Sequence, residues 1–442
     1  AGAGPERRPC RRVPVGPPVA SITVSDHVFC APKGTRDILW PDSARWRALV
    51  DVFAEVVGSA GYLEVIPPMF EHVEVFQRLG EATDVVRKEM YSFEDKGGRT
   101  LALRPEQTAS VVRGFAEHRP TLPYKAWYAG PNFRYERAQK GRFRQFDQVG
   151  VEVLGPTDPH LDAEVISLAW RFYERLGLNQ VTLLVNSLGS AEDRARYVEA
   201  LRAHFIAERD ALSEESRTTL DANPLRVLDS RREADAPLID AAPRMIDHLS
   251  DDSAAHFAGV TSALDAIRVP YTVAPRLVRG LDYYVRTTFE FAAEALDAAQ
   301  NAVGGGGRYD GLAADLGAPE TPGVGFALGV DRTLLACDAE GVFDAPATAV
   351  DVFVVDATGG DEAVVVTDLI RSVGLRADRA WGGRSMKAQM KAADRSAAAL
   401  AVIVGEDEKV AGTVTVRDLR GDGGQETVTR DQMIQTLRAR LR

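Results

Sequence analysis

A chain of 442 residues with 45% hydrophobic and 26% charged side chains has room for two or three domains of ordinary globular character. Its formal net charge of −11 argues against indiscriminate attraction to nucleic acid, so any such binding must run through local basic patches. No apolar run approaches the ~20 residues of a membrane helix, and three scattered cysteines (Cys10, Cys30, Cys337) suggest neither a disulfide framework nor a zinc site, which points to a cytoplasmic protein.

Residues 1–28 open on a Pro/Gly/Arg-rich stretch, PERRPCRRVPVGPPVA, without the apolar segment of a signal peptide. They read as a disordered tail, with a nucleic-acid-binding arm as the alternative. Residues 42–58 carry Trp46, Leu49, Val50, Phe53, Val56 and Val57 at helical spacing, and GYLEVIPPMFE then alternates like a strand until Pro67 and Pro68 stop it. Two strand-like runs, KAWYAGPNFRYE and FRQFDQVGVEVLG, flank a polar loop, RAQKGR, and predict an antiparallel hairpin. Residues 189–265 look like an inserted helical module, and residues 271–335 return to β-like runs, a glycine cluster and a helix. The expected class is therefore α+β, an antiparallel sheet flanked by helices. A linker-like stretch at 336–349 precedes alternating strands and helices, a small C-terminal α/β domain at 349–442. The first domain spans 29–340.

The hairpin concentrates charge. Between Lys125 and Arg144 stand six basic residues and one acid, Glu136, in an acidic protein. If both lie on a strand, Arg134 and Glu136 share a face, where an arginine fork suits a phosphate and a carboxylate suits a donor-rich base edge. A solvated charged hairpin is the plain alternative. In LRPEQTA, Glu106 and Thr108 could accept hydrogen bonds from an ammonium group, or Thr108 could cap the helix beginning near Ala109. LVRGLDYYVRTTFEF combines Arg279, Gly280, Asp282, Tyr283 and Tyr284. VGGGGRYDG is neither a Walker loop nor GxGxxG, and reads as close backbone approach to a ligand or as a loose turn. PGVGFALGVDRTLL reads as a strand and a helix, with Arg332 at the helix start, either exposed or clamping a polyphosphate.

Together these segments resemble class II aminoacyl-tRNA synthetases, and among them the histidine enzymes. GYLEVIPPMFE is similar to motif 1, FRYERAQKGRFRQFDQVGVE to motif 2 and GVGFALGVDR to motif 3. LVRGLDYYVRT and VGGGGRYDGL resemble the two segments peculiar to histidine enzymes, while PKGTRD and GRSMKAQMKAADRS also match. The resemblance covers roughly residues 29–442. It implies a ligase that activates L-histidine with ATP and magnesium, without a dedicated protein metal site, and loads histidine tRNA as a homodimer away from membranes.

The same resemblance implies residue roles. Arg134 and Arg279 would be catalytic, holding the ATP α-phosphate and the histidine carboxylate. Glu136 would meet adenine and Arg332 the γ-phosphate. Glu106, Thr108 and Gln148 would hold the ammonium, Glu152 and Tyr284 the two ring nitrogens, and Tyr283 would line the pocket. Arg137, Gln139, Lys140, Arg142 and Arg144 would face tRNA. In the C-terminal domain, which resembles an anticodon-binding domain, Arg384, Lys387, Lys391 and Arg395 recur at helical spacing as a phosphate-facing edge or a bare surface helix. Gln107 and Ala138 depart from the family's usual glycine and proline. The rivals are a catalytically inactive paralogue regulating an ATP phosphoribosyltransferase and a synthetase-like tRNA sensor.

Overall fold

The computed structural model describes residues 29–78, 85–137, 141–230, 232–277, 283–297, 301–421 and 423–441. They divide into two units, one of residues 29–37 and 48–343, the other of residues 38–47 and 344–442. The tail at 1–28 lies outside the described residues.

Helix α1 (Asp42–Gly58) buries Leu49, Val50, Phe53, Val56 and Val57. The Phe53 ring meets Trp127, Phe172 and Phe326 edge-on, at 5.3–6.1 Å between centroids, an arrangement that suits the ring quadrupoles. The strand expected next is only two residues long, β1 (Leu63–Glu64). The prolines then divert the chain into a separate three-stranded sheet of β2 (Phe70–His72), β3 (Ser92–Glu94) and β4 (Thr100–Leu103), in the order β2-β4-β3. Helix α2 (Val73–Gln77) follows β2, and α3 (Thr108–His118) follows β4.

The hairpin forms as β5 (Tyr124–Phe133) and β6 (Gln145–Leu154). Its arms are shorter than the sequence pattern implied, so Arg134 and Glu136 lie just past the end of β5 and not on a strand face. Helix α4 (Pro159–Arg175) and strand β7 (Val181–Ser187) lead into α5 (Ala191–Ala207), α6 (Glu214–Ala222), α7 (Ala236–Ala241) and α8 (Asp251–Ala266). Then come β8 (Thr272–Val273), β9 (Val285–Ala293), β10 (Ala302–Arg308), α9 (Leu312–Asp315), β11 (Gly323–Gly329) and α10 (Val330–Glu340). Because α10 runs to Glu340, the expected linker starts later than residue 336. The large sheet has the order β1-β5-β6-β11-β10-β9-β7-β8 and is antiparallel from β5 to β7. An antiparallel sheet flanked by helices is thus what the chain forms.

The glycine cluster is neither a turn nor a loop. Gly304 to Gly307 sit inside β10, paired with β9 on one side and β11 on the other. Strand glycines normally weaken a sheet, so their presence marks space needed by something else. The strand is pinned at its end by a buried cluster: Asp162 on α4 receives hydrogen bonds from Arg308 and from Thr287 (2.6 Å), and His256 lies 2.9 Å from it. Burial pushes the Asp162 carboxyl up, but His256, Arg308 and Thr287 outweigh it and hold the group below the usual carboxylate range.

The second unit is a five-stranded sheet in the order β13-β12-β14-β15-β16, made of β12 (Val352–Asp356), β13 (Ala377–Arg379), β14 (Leu400–Val404), β15 (Thr413–Asp418) and β16 (Gln425–Thr429). Its helices are α11 (Asp361–Ser372), α12 (Met386–Arg395), α13 (Glu406–Ala411) and α14 (Arg430–Arg440). Strands β12, β13 and β14 are parallel, joined by helical crossovers.

Candidate active site

Across the centre of the large sheet, register alone brings a row of residues together. Glu152 on β6 lies opposite Gly325 on β11, and Gly325 lies opposite Gly307 on β10. A side chain at Gly325 would strike the Glu152 carboxylate and the Val151 carbonyl, one at Gly150 would strike the Tyr128 hydroxyl end, and one at Gly323 the Tyr309 ring. The missing side chains therefore leave volume that one carboxylate and two tyrosines occupy. Above this floor opens a cavity of about 290 Å³, lined by residues of β6, β10, β11, the first turns of α3 and α10, and the loop after β5.

One part of the cavity is built around two buried carboxyl groups. Glu106 is buried and accepts backbone hydrogen bonds from Thr108 (2.7 Å) and Ala109 (2.8 Å), so Glu106 caps α3 and Thr108 is the helix's first residue. The alternative of Thr108 as the cap of a helix beginning near Ala109 is therefore corrected by one residue: Thr108 is inside the helix and the capping carboxylate is Glu106. The Thr108 hydroxyl donates to Glu152 at 2.6 Å. Glu152 is fully buried and also receives the hydroxyls of Tyr309 and Tyr128, the latter at 3.3 Å. Burial pushes the Glu152 carboxyl up to about 8; Thr108, Tyr309 and Tyr128 pull it down without cancelling that, and Glu106 adds to the rise. Glu106 is likewise raised by burial, partly offset by the helix amides. Tyr283 and Tyr284 both line the cavity, with ring centroids 4.6 Å apart, and Tyr283 meets Tyr309 at 5.8 Å. Gln148 lines the wall and accepts from the Asn132 amide at 2.8 Å.

The other part is cationic. Arg134, Arg142 and Arg332 all line it. Arg134 donates from Nε to the Pro105 carbonyl at 2.9 Å, and its Nη1 lies 4.0 Å from Glu136. Arg142 Nε sits 3.0 Å from Glu136. Arg332 donates to the carbonyl of Ala302 at 2.8 Å. Burial lowers the Arg332 pKa first, and the charges of Arg142 and Arg134 lower it further against the opposing pull of Glu136. Three guanidinium groups held close enough to repel, two of them around a single carboxylate, form a ready site for a multiply charged oxyanion.

Several residues at this site carry no assignment from the sequence. Tyr309 and Tyr128 grip Glu152, although Tyr309 stood inside the quoted segment VGGGGRYDG. Asp147 and Asp331 line the cationic side, and Arg36 pairs with Asp331 and stacks at 4.0 Å over Phe143. Burial pushes Asp147 up to about 6, with Asp331 adding and Arg36 and Arg104 opposing. Gln107 is fully buried, with its amide donating to the Gly130 carbonyl at 3.3 Å, so it packs behind the cavity wall. Arg142, expected at tRNA, lines the cavity. Arg144 stacks over Tyr135 at 3.7 Å and donates to the Glu136 carbonyl, while Arg137 is exposed. Arg279, Gly280, Asp282, Ala138, Gln139 and Lys140 lie outside the described residues. In the second unit Lys387, Lys391 and Arg395 project from α12 into solvent, but Arg384 precedes the helix and does not share its face.

The antiparallel sheet and its arginine-lined cavity place the chain among class II aminoacyl-tRNA synthetases. The family model for histidyl-tRNA synthetase matches residues 34–333, and that for an anticodon-binding domain matches residues 350–440. The chain belongs to the histidyl-tRNA synthetase family. It is 48% identical over 389 residues to a histidine–tRNA ligase of Geobacillus kaustophilus, covering 86% of this chain and 91% of that one. It is 48% identical over 422 residues to a histidine–tRNA ligase of Corynebacterium kroppenstedtii, covering 93% and 97%. Apo histidyl-tRNA synthetase from S. aureus superposes with a TM-score of 0.78 at 35% identity, over 93% of this chain and 100% of that one. These relatives set the ligase reading above the regulatory-subunit alternative.

Proposed function

We propose that this cavity binds histidine with its imidazole towards Glu152 and ATP with its phosphates towards Arg134, Arg142 and Arg332, joins them as histidyl-adenylate, and passes the histidyl group to the 3′ end of histidine tRNA. The observation that carries the reading is the division of one cavity into a buried carboxylate end and a crowded guanidinium end.

In the first step a histidine carboxylate oxygen attacks the α-phosphorus, the bond from that phosphorus to the bridging oxygen breaks, and pyrophosphate leaves. Two anions must meet, so fixed arginines lower the barrier by charge stabilisation and the rest is positioning. Arg134 takes the α-phosphate and the substrate carboxylate, Arg332 the γ-phosphate and Glu136 the adenine amino group. Arg279 is assigned to the α-phosphate by its place in the family segment. Magnesium enters as the ATP complex, with phosphate oxygens among its ligands. Glu106, the Thr108 hydroxyl and Gln148 take the ammonium, and Glu152 and Tyr284 the ring nitrogens. A pocket whose buried polar groups go unpaired with an apolar competitor rejects it by ~10⁴–10⁵. In the second step a terminal tRNA hydroxyl attacks the adenylate carbonyl and AMP leaves.

The tRNA is proposed to meet Arg137, Gln139, Lys140, Arg142 and Arg144 at its acceptor end, and Arg384, Lys387 and Lys391 elsewhere. A homodimer is proposed through the exposed apolar residues Leu63, Ile66, Met69, Phe70 and Phe93 of the first unit, of which Phe70 and Phe93 meet edge-on at 6.3 Å. Among the described residues no helix is long and apolar enough to cross a membrane, and a cytoplasmic site of action is proposed.

The test is histidine-dependent exchange of pyrophosphate into ATP without tRNA. Strong exchange with histidine alone among the amino acids is expected, and Arg134→Ala should lower it by about 10²–10³-fold. No exchange with any amino acid would sink the ligase reading and favour a tRNA sensor.

A further inference from the structure

Strand β13 is the edge of the second unit's sheet, and the chain leaves it through Ala380, Trp381, Gly382 and Gly383 before α12. Trp381 is 62% exposed, while the Ala380 beside it packs against the core. The indole does not simply wave in solvent: the Arg379 guanidinium lies 4.2 Å from a ring centroid. A guanidinium attracted to the ring holds it in place while most of the residue stays exposed for a second stacking partner.

The surroundings are open and basic. Gly382 and Gly383 adopt left-handed backbone at φ +78° and +56°, and a side-chain carbon at either would meet nothing within 4 Å. Residues 379–395 hold Arg379, Arg384, Lys387, Lys391 and Arg395 against a single acid, Asp394, which is itself paired with Arg420 at 3.0 Å. Residues 350–442 as a whole carry 14 basic and 14 acidic side chains, so this surplus is local. Strands β12, β13 and β14 are parallel, and Trp381 lies just beyond the carboxyl end of β13, the rim at which open α/β sheets receive ligands.

We propose that Trp381, backed by Arg379, is a stacking platform for one unpaired base of the tRNA anticodon loop. The proposal rests on the tRNA reading above and gives it a contact with a base, where Arg384 and Lys387 supply contacts with phosphates. An exposed ring beside spaced cations is what single-stranded RNA recognition needs: a π-face for a splayed base and positive charge along the backbone. A ring with an open face beside spaced cations matches a base and its phosphates together, which a protein's carboxylates alone would not use.

The experiment titrates the full-length protein with a fluorescently labelled hairpin of the histidine-tRNA anticodon stem and loop. The wild type should bind, and its tryptophan emission should be quenched. Trp381→Ala should bind about tenfold more weakly, the size of one lost base stack, with the salt dependence unchanged because no phosphate contact is removed. Trp381→Phe keeps a π-face and should bind within about threefold, but without the quench. Binding by Trp381→Ala within twofold of the wild type, or an undiminished quench in Trp381→Phe, would overturn the proposal. If the wild type fails to bind the hairpin, the proposal falls together with the tRNA reading of this unit; pyrophosphate exchange on the same preparation reports separately on the cavity.

Discussion

The second unit packs Val352, Val354, Val366, Ile370, Val402, Val416 and Leu437 into a core made almost wholly of hydrocarbon, whereas the centre of the large sheet buries Glu106, Thr108, Tyr128, Glu152 and Tyr309 in mutual contact. The first core gains its stability from apolar area removed from water, at roughly 25 cal/mol per Å², and its side chains can be exchanged for others of like volume at modest cost. The second is held by a closed set of hydrogen bonds around a carboxylate in low dielectric, where a group left unpaired costs ~1–3 kcal/mol or more. Sites that do chemistry carry such shifted groups. The contrast teaches that the same kind of mutation has different consequences in the two units: a loss of stability in one, a loss of geometry in the other.

The sharpest way to break this contrast is Gly325→Ala. One added carbon would press on the Glu152 carboxylate and on the Val151 carbonyl, and the second of these is backbone and cannot swing aside. We expect kcat/KM for histidine in pyrophosphate exchange to fall by about 10²-fold, the scale of a misplacement near 1 Å, while far-ultraviolet circular dichroism stays close to that of the wild type. Exchange within threefold of the wild type would mean that the cavity floor tolerates change as an apolar core does.

A pH-dependent effect comes next in size. Burial places the Glu152 carboxyl at about 8 in the folded chain against 4.5 for the free group. Between those values the folded protein holds a proton that the unfolded chain gives up, so the contribution of this group to stability is fully present below about 4.5 and is lost as pH rises through about 8. Glu152→Gln removes this titration. The urea midpoint of the wild type should therefore drop relative to that of Glu152→Gln between pH 5 and pH 9. Parallel profiles would show that the carboxylate is already ionised at pH 5.

Legibility in the sequence followed a similar divide. Helix α1, the hairpin and the parallel strands of the second unit announce themselves because each buries one face or a whole apolar run, and periodicity records that. The segments holding Arg134, Glu136, Glu106, Gln148 and Glu152 were legible as charges and motifs, and all of these lie at or beneath the cavity. The glycines of β10 were legible as a segment but not as a strand, because a strand that leaves space for a neighbour has no periodic signature of its own; a side chain at Gly307 would strike the Thr287 carbonyl and the Tyr284 ring. Tyr128 and Tyr309 were missed for the same reason: their value lies in a hydrogen bond to a residue on another strand. The Glu106 cap was missed because local spacing cannot tell a cap from the first helical residue.

The smallest expected effect lies on the surface of the second unit. Lys387 and Lys391 are one helical turn apart on α12, both exposed, and the buried residues of that helix, Gln389 and Ala393, lie on its other side. Among the described residues neither lysine is held in an ion pair, so Lys387→Ala with Lys391→Ala should leave the melting temperature within a degree or two. If both meet phosphates, the logarithm of tRNA affinity should fall less steeply with the logarithm of salt, the slope losing about 0.9 per contact for a duplex region or 0.7 for single strands. The loss of affinity at physiological salt should be a few-fold and shared by all RNAs, because a phosphate contact carries no base identity. Measuring the slope and not the affinity alone is what decides the matter: weakened binding at an unchanged slope would mean that the lysines act by packing or by displacing the α12 rim, and the wild-type slope with wild-type affinity would return the helix to bare solvated surface.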